Sequence, residues 1–175
     1  MIKRNYFVLA IAIISAEEHS TQTLSEHLIG FDSYVGKTFE GNFISSTKES
    51  PMVDVLSFER ALNGSALKII HSVNNGEFEG ETMIIWDPKE KGLRSWYFTS
   101  AGSLTLQVVE MKGEKFISVE DVSRNQNGIT KVKTIIELLH GNKLQKRTKY
   151  LMDNLWVDGN DMIYKEIKSK NPKID

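Results

Sequence analysis

Four histidines and a scatter of single charged side chains are the groups in this chain that could do chemistry. His71 and His140 fall in strand-like runs, and a neutral imidazole at either position could ligate a metal or a haem iron. No two histidines stand at ligand spacing on one element. Cysteine is absent altogether, so thiolate metal sites, cysteine nucleophiles and disulfide staples are excluded together. The simplest role for His71 is a hydrogen-bonded interior side chain, and for His140 a strand-end residue beside the Gly141-Asn142 turn. Arg60 carries the planar fork that grips a carboxylate, although it could instead pair with Glu59 or Glu120 or lie at the barrel rim. Tyr97 and Glu120 complete, with His71, the short set of groups able to move protons. A hydrolase nucleophile would need a Gly-x-Ser-x-Gly turn, which the nearest segments, Asn63-Gly64-Ser65 and Ser100-Ala101-Gly102-Ser103, lack. No helix follows a glycine cluster, as a phosphate-cradling loop requires. These residues form no catalytic set, and no cofactor or metal is expected.

The elements that must position these groups are strands. From Thr38 onward the chain consists of short runs rich in Val, Ile, Thr and aromatics, broken at Gly, Asn, Asp and Pro. The runs predict ten strands: 38–46, 53–62, 65–73, 78–87, 93–100, 104–111, 115–123, 129–140, 143–151 and 161–167. Asn63-Gly64, Asn74-Asn75-Gly76, Lys112-Gly113, Gln126-Asn127-Gly128, Gly141-Asn142 and Asp158-Gly159-Asn160 are short connections tolerant of positive φ, which join antiparallel neighbours. No crossover long enough for parallel pairing is present. Ten strands in sequence read as a meander, and closure into a barrel hides its edges, with a β-sandwich as the alternative. Ahead of the first strand, Leu24, Leu28 and Phe31 recur at helical spacing and predict a short helix within 17–37. The barrel itself is expected over 38–168, with 169–175 as a tail.

Period-two alternation then sorts the faces. The expected inward sets are Leu56, Phe58, Arg60 and Leu62; Leu67, Ile69, His71 and Val73; Phe78, Thr82, Ile84 and Trp86; Leu104, Leu106 and Val108; Phe116 and Glu120; Val132, Ile136, Leu138 and His140; and Leu144, Thr148 and Tyr150. On the fifth strand the choice between Trp96/Phe98 and Tyr97/Thr99 stays open. Met83, Ile85, Ile117 and Val119 fall on the outer side, as an apolar patch suited to a partner or a homodimer.

Length and charge narrow the function classes. The 175 residues suit one domain, and 22 basic against 23 acidic residues provide no field for nucleic acid. The first sixteen residues differ in kind: Lys3 and Arg4, the apolar run Tyr6 to Ile14, then Ser15 and Ala16 before Glu17 and Glu18. That is the layout of a secretory signal peptide, and its apolar run is too short for a stable membrane span, which takes about 20 residues. An exported protein, periplasmic or secreted, is expected.

Several segments carry a resemblance. Leu62-Asn63-Gly64, Phe78-Glu79-Gly80, Trp86-Asp87-Pro88 and Trp96-Tyr97-Phe98-Thr99-Ser100-Ala101-Gly102, together spanning about 62–102, resemble the bacterial family designated domain of unknown function 1579. That family belongs to the lipocalin-like calycins. The resemblance implies a barrel with an internal cavity and favours Tyr97 as an inward residue, but it implies no reaction. The expected function is binding of a small hydrophobic or amphipathic molecule in the lumen, with Arg60, His71, Trp86, Tyr97, Glu120, His140 and Tyr150 as candidate lining residues. The alternatives are an interaction or structural barrel with a filled core, and a haem-binding barrel or cavity enzyme.

Overall fold

Positive φ angles at Asn63, Asn74, Asn75, Asn142, Asp153 and Asn154, and at Gly64, Gly76, Gly113, Gly128 and Gly141, mark the places where the chain reverses. A computed structural model describes residues 23–122, 128–168 and 172. Between the reversals run ten strands: β1 (Thr38–Asn42), β2 (Val53–Ala61), β3 (Ala66–Val73), β4 (Phe78–Asp87), β5 (Gly92–Thr99), β6 (Leu104–Lys112), β7 (Lys115–Asp121), β8 (Ile129–Leu139), β9 (Lys143–Met152) and β10 (Leu155–Ile167). Each pairs antiparallel with its sequence neighbour, and β1 also pairs β10, so the meander closes into a barrel. The closing strand is short. Thr38 sits opposite both Ser57 of β2 and Ile167 of β10.

Most strand bounds agree with expectation to within a residue or two. β1 is shorter than expected because the chain leaves the sheet at Phe43, whose N–H donates to the Met52 carbonyl across a loop. β10 is longer, starting at Leu155 rather than 161. Asp158-Gly159-Asn160 is not a turn. The reversal lies at Asp153-Asn154, both with positive φ, and the glycine sits where the β9–β10 register shifts. A Cβ at Gly159 would collide with the Tyr150 ring, so the glycine makes room for an aromatic on the neighbouring strand.

The predicted N-terminal helix is a single 3-10 helix, Glu26–Phe31. Its six residues, ending in the glycine-phenylalanine pair Gly30-Phe31, make too short a run to sustain an α-helix. It seals one end of the barrel. Leu28, Phe31 and Tyr34 are fully buried, and the ring of Phe31 meets Phe116 at 5.3 Å while Tyr34 meets Phe58 at 5.2 Å. The Tyr34 hydroxyl donates to the carbonyl of Glu114 at 2.6 Å, tying the plug to the β6–β7 turn. Ser25 N–H donates to the Gly64 carbonyl at the β2–β3 turn. Each large apolar side chain buried here is worth roughly 1.5–3 kcal/mol.

Leu62 does not continue the inward set of β2. It leaves the strand with φ of 48° and is largely exposed, because the β2–β3 reversal begins one residue earlier than the apolar pattern implies.

The plug carries a test. Phe31→Ala is expected to lower stability by about 3–5 kcal/mol in urea unfolding, whereas Ile29→Ala, at an exposed position of the same helix, stays within about 0.5 kcal/mol. Equal effects would mean that the plug does not pack as described.

Candidate functional site

A ten-strand barrel encloses more space than its own side chains fill, since eight strands are about the limit for a filled interior. The plug occupies one end. Beyond it a cavity of about 140 Å³ remains, lined on the apolar side by Leu56, Ile69, Ile84, Phe116 and Ile136. Its polar lining is His71, Thr82, Ser95, Tyr97, Gln107, Ser118, Thr134 and Lys146.

The register explains which residues arrive there. Leu56 of β2 faces His71 of β3, which faces Gly80 of β4. Thr82 faces Tyr97 of β5, settling the open choice on that strand: Tyr97 points inward and Trp96 and Phe98 outward. Further round, Phe116 faces Ile136, and Ile136 faces Lys146.

A chain of hydrogen bonds crosses this interior. Asp54, 1% exposed, accepts from His71 Nδ1 at 3.1 Å through one oxygen and from the Tyr164 hydroxyl at 2.8 Å through the other. His71 Nε2 lies 2.7 Å from the Tyr97 hydroxyl. Burial alone would push the Asp54 carboxyl up; the His71 hydrogen bond, the nearby Lys146 charge and the Tyr164 hydroxyl outweigh it and hold the group below its ordinary value. Asp54 is therefore ionised, which places a proton on His71 Nδ1. Nε2 and the Tyr97 hydroxyl share the next hydrogen bond of the chain. Burial and the charges of Asp54 and Glu120 push the Tyr97 hydroxyl up to about 12, so it keeps its proton. Burial and the Asp54 charge likewise raise Tyr164 well above the usual tyrosine value.

Gly80 is the space-maker. A Cβ at this position would strike both the His71 and the Tyr97 rings. A glycine inside β4 is thus the condition for the imidazole and phenol to meet.

Of the residues expected to line the lumen, His71 and Tyr97 do so. Glu120 joins indirectly, its carboxylate 3.4 Å from Gln107 Nε2, while Gln107 Oε1 accepts from Ser95 at 3.0 Å. Tyr150 stands on the inner face opposite Val132, its ring over Gly159. The others lie elsewhere. Trp86 stacks on His27 at the plug, with ring centroids 3.8 Å apart. Arg60 Nε donates to the Thr23 carbonyl at the same end, so its charge serves the segment entering the plug. His140 is exposed at the turn after β8, where the strand ends one residue before it. Asp54, Lys146 and Tyr164 were missed by sequence reasoning. Asp54 shares the parity of Leu56 and Phe58, and Lys146 that of Leu144 and Thr148, so alternation carried the signal, but their charge argued against burial.

The β6 faces are opposite to expectation. Thr105, Gln107 and Val109 pair with the inward Tyr97, Ser95 and Leu93, which turns Leu104, Leu106 and Val108 outward. They are 62%, 57% and 53% exposed. Cross-strand pairs Met83–Trp96–Leu106, Phe98–Leu104 and Val108–Val119 join them into one apolar stripe on the outer wall. In this sector the lumen is polar and the outside apolar, so a reading by hydrophobicity alone assigns the faces the wrong way round.

The arrangement is a cavity lined by donors, acceptors and one ammonium. His71 Nε2 is engaged by the Tyr97 hydroxyl, and Asp54 is covered by two protein donors. Among the described residues, no group of three or more His, Asp or Glu side chains is placed to hold a metal ion, and no helix is long and apolar enough to cross a membrane. No protein-family model matches the chain, and no curated protein matches it.

Two measurements test the network. Gly80→Ala is expected to cost about 1–3 kcal/mol in urea, while Gly92→Ala, with open surroundings, stays within about 0.5 kcal/mol. The pH dependence follows from the shifts. Asp54 has a lowered folded value, so its contribution is present above its unfolded value of about 3.9 and is lost as pH falls through the lower folded one. Tyr97 and Tyr164 have raised folded values, so theirs is present below about pH 10 and is lost as pH rises beyond it. Asp54→Asn should flatten the acid limb of the stability profile and also weaken the alkaline limb, because the Asp54 charge helps to raise Tyr97 and Tyr164; an acid limb identical to wild type would contradict the placement of this charge.

Proposed function

We propose that the barrel binds a small, partly apolar organic molecule in its lumen. The observation that carries this reading is the cavity of about 140 Å³ beside the plug, apolar on one side and set with hydroxyl, imidazole, amide and ammonium groups on the other. That division suits a ligand whose bulk is bound by apolar burial and whose orientation is set by a few polar contacts. Its size is close to that of an engineered apolar cavity of about 150 Å³ that takes up benzene. A compact molecule of about one ring therefore fits without displacing the plug, and a long acyl chain does not. The same reading includes export, supported by Lys3 and Arg4 ahead of the apolar run Tyr6 to Ile14, and a place among the lipocalin-like barrels resembling domain of unknown function 1579, supported by the motifs within 62–102.

The outer stripe around Leu106 favours a second reading, self-association through this wall. An exposed apolar surface of this kind rarely stays bare on a monomer. A second copy is the occupant it fits: the stripe would be buried against itself, the net charge of −1 gives little repulsion between copies, and Arg94, Glu110, Lys112 and Asp121 provide both signs at its rim.

Benzene is the probe for the lumen. On addition, methyl resonances of Ile69, Ile84 and Ile136 should shift and those of the outer Ile85 and Ile117 should not, and Ser118→Phe should abolish the shifts. Absence of any shift at saturating benzene would refute the lumen reading. For the outer wall, light scattering at tens of micromolar protein, well above a micromolar dissociation constant, should give a dimer mass that Leu106→Asp halves. A monomer mass for the wild type would rule that reading out.

A further inference from the structure

Lys146 is the charged lumen group that the hydrogen-bond network leaves over. It stands on the inner wall of β9, opposite Ile136 of β8 and Met162 of β10, and lines the cavity. Its ammonium is 3.8 Å from Asp54 Oδ2, which is longer than a hydrogen bond. Asp54 is already served, one oxygen by His71 and the other by Tyr164. Among the described residues no hydrogen bond reaches the ammonium, so its three donors are free to meet a ligand at the cavity wall, where the side chain is 27% exposed. Asp54 fixes where the charge sits without consuming its donors.

We propose that the lumen ligand is a small monocarboxylate, its carboxylate on the Lys146 ammonium and its apolar body against Leu56, Ile69, Ile84 and Phe116. The inference rests on the lumen reading above and adds the chemical class. One lysine close to one carboxylate leaves the site near neutrality, so a single added negative charge is tolerated where a dianion is not. Thr134 and Ser118, on the strands beside Lys146 and Phe116, place hydroxyl donors on the same wall. The Tyr97 hydroxyl and His71 Nε2 are engaged with each other, which leaves Lys146 as the principal anion-binding group. The cavity volume limits the body to about one ring or a short branched chain.

The test compares benzoate with benzamide, which has nearly the same shape and no charge, by calorimetry on the full chain. Benzoate is expected to bind one to one and at least about tenfold more tightly, the scale of a charge-assisted hydrogen bond. Lys146→Met should abolish that preference and Lys146→Arg restore most of it, with both variants checked for wild-type thermal unfolding. If benzoate and benzamide bind equally, or if Lys146→Met leaves the preference intact, the carboxylate inference fails while the lumen reading stands. If neither binds but benzene shifts the lumen methyls, the inference again fails alone. If none of the three binds, both readings fall.

Discussion

Closure of the sheet is the constraint on which the rest depends. The β1–β10 pairing removes both edges from a ten-strand meander and at the same time sets the circumference of the wall. A wall of that circumference encloses more volume than its inward side chains fill. The plug from Leu24 to Tyr34 takes up part of the excess, and the cavity is what remains. The cavity is thus a consequence of strand number before it is a consequence of any particular side chain.

The second organising fact is a buried carboxylate. A charge at Asp54 would be costly in a barrel interior without partners. Its partners come from three other strands: His71 from β3, Tyr164 from β10 and Lys146 from β9. Satisfying it places a proton on His71 Nδ1, brings the imidazole against the Tyr97 hydroxyl and holds a cation at the cavity wall. Glycines at positions 80 and 41 give the rings room; a Cβ at Gly41 would press on the Tyr164 ring. One charge therefore determines the hydrogen-bonding polarity of much of the lumen.

The all-β architecture, the order of the strands and nearly all their boundaries were legible because turn residues mark reversals through backbone sterics, which act locally. Face assignment was legible where one face was plainly apolar, as on β3 and β4. It failed on β6 because both parities carry apolar side chains, and only the register against β5 decides between them. The Asp54–Lys146 part of the site was illegible for a related reason. A charged residue amid apolar neighbours reads as surface until its partners from distant strands are known, and those pairings span 92 residues for Lys146 and 110 for Tyr164. Arg60 shows the converse: its parity was read correctly, but position along the axis, not parity, put it at the plug.

The wall is not equally strong all round. Along the β1–β10 seam, register runs only from Thr38–Ile167 to Gly41–Tyr164, while β8 and β9 are matched along nearly their whole length. Beyond Tyr164 toward the β9–β10 turn, β10 has no β1 residue opposite it. In a hoop of staves the one with the fewest fastenings parts first, and local opening concentrates where backbone pairing is shortest. Amide hydrogens of β1 should accordingly exchange faster than those of β8 and β9, through an opening that leaves the remaining hairpins paired. β1 is thus held by short pairings on both sides, and the rate at which it parts sets how often the wall opens sideways, apart from either end of the barrel.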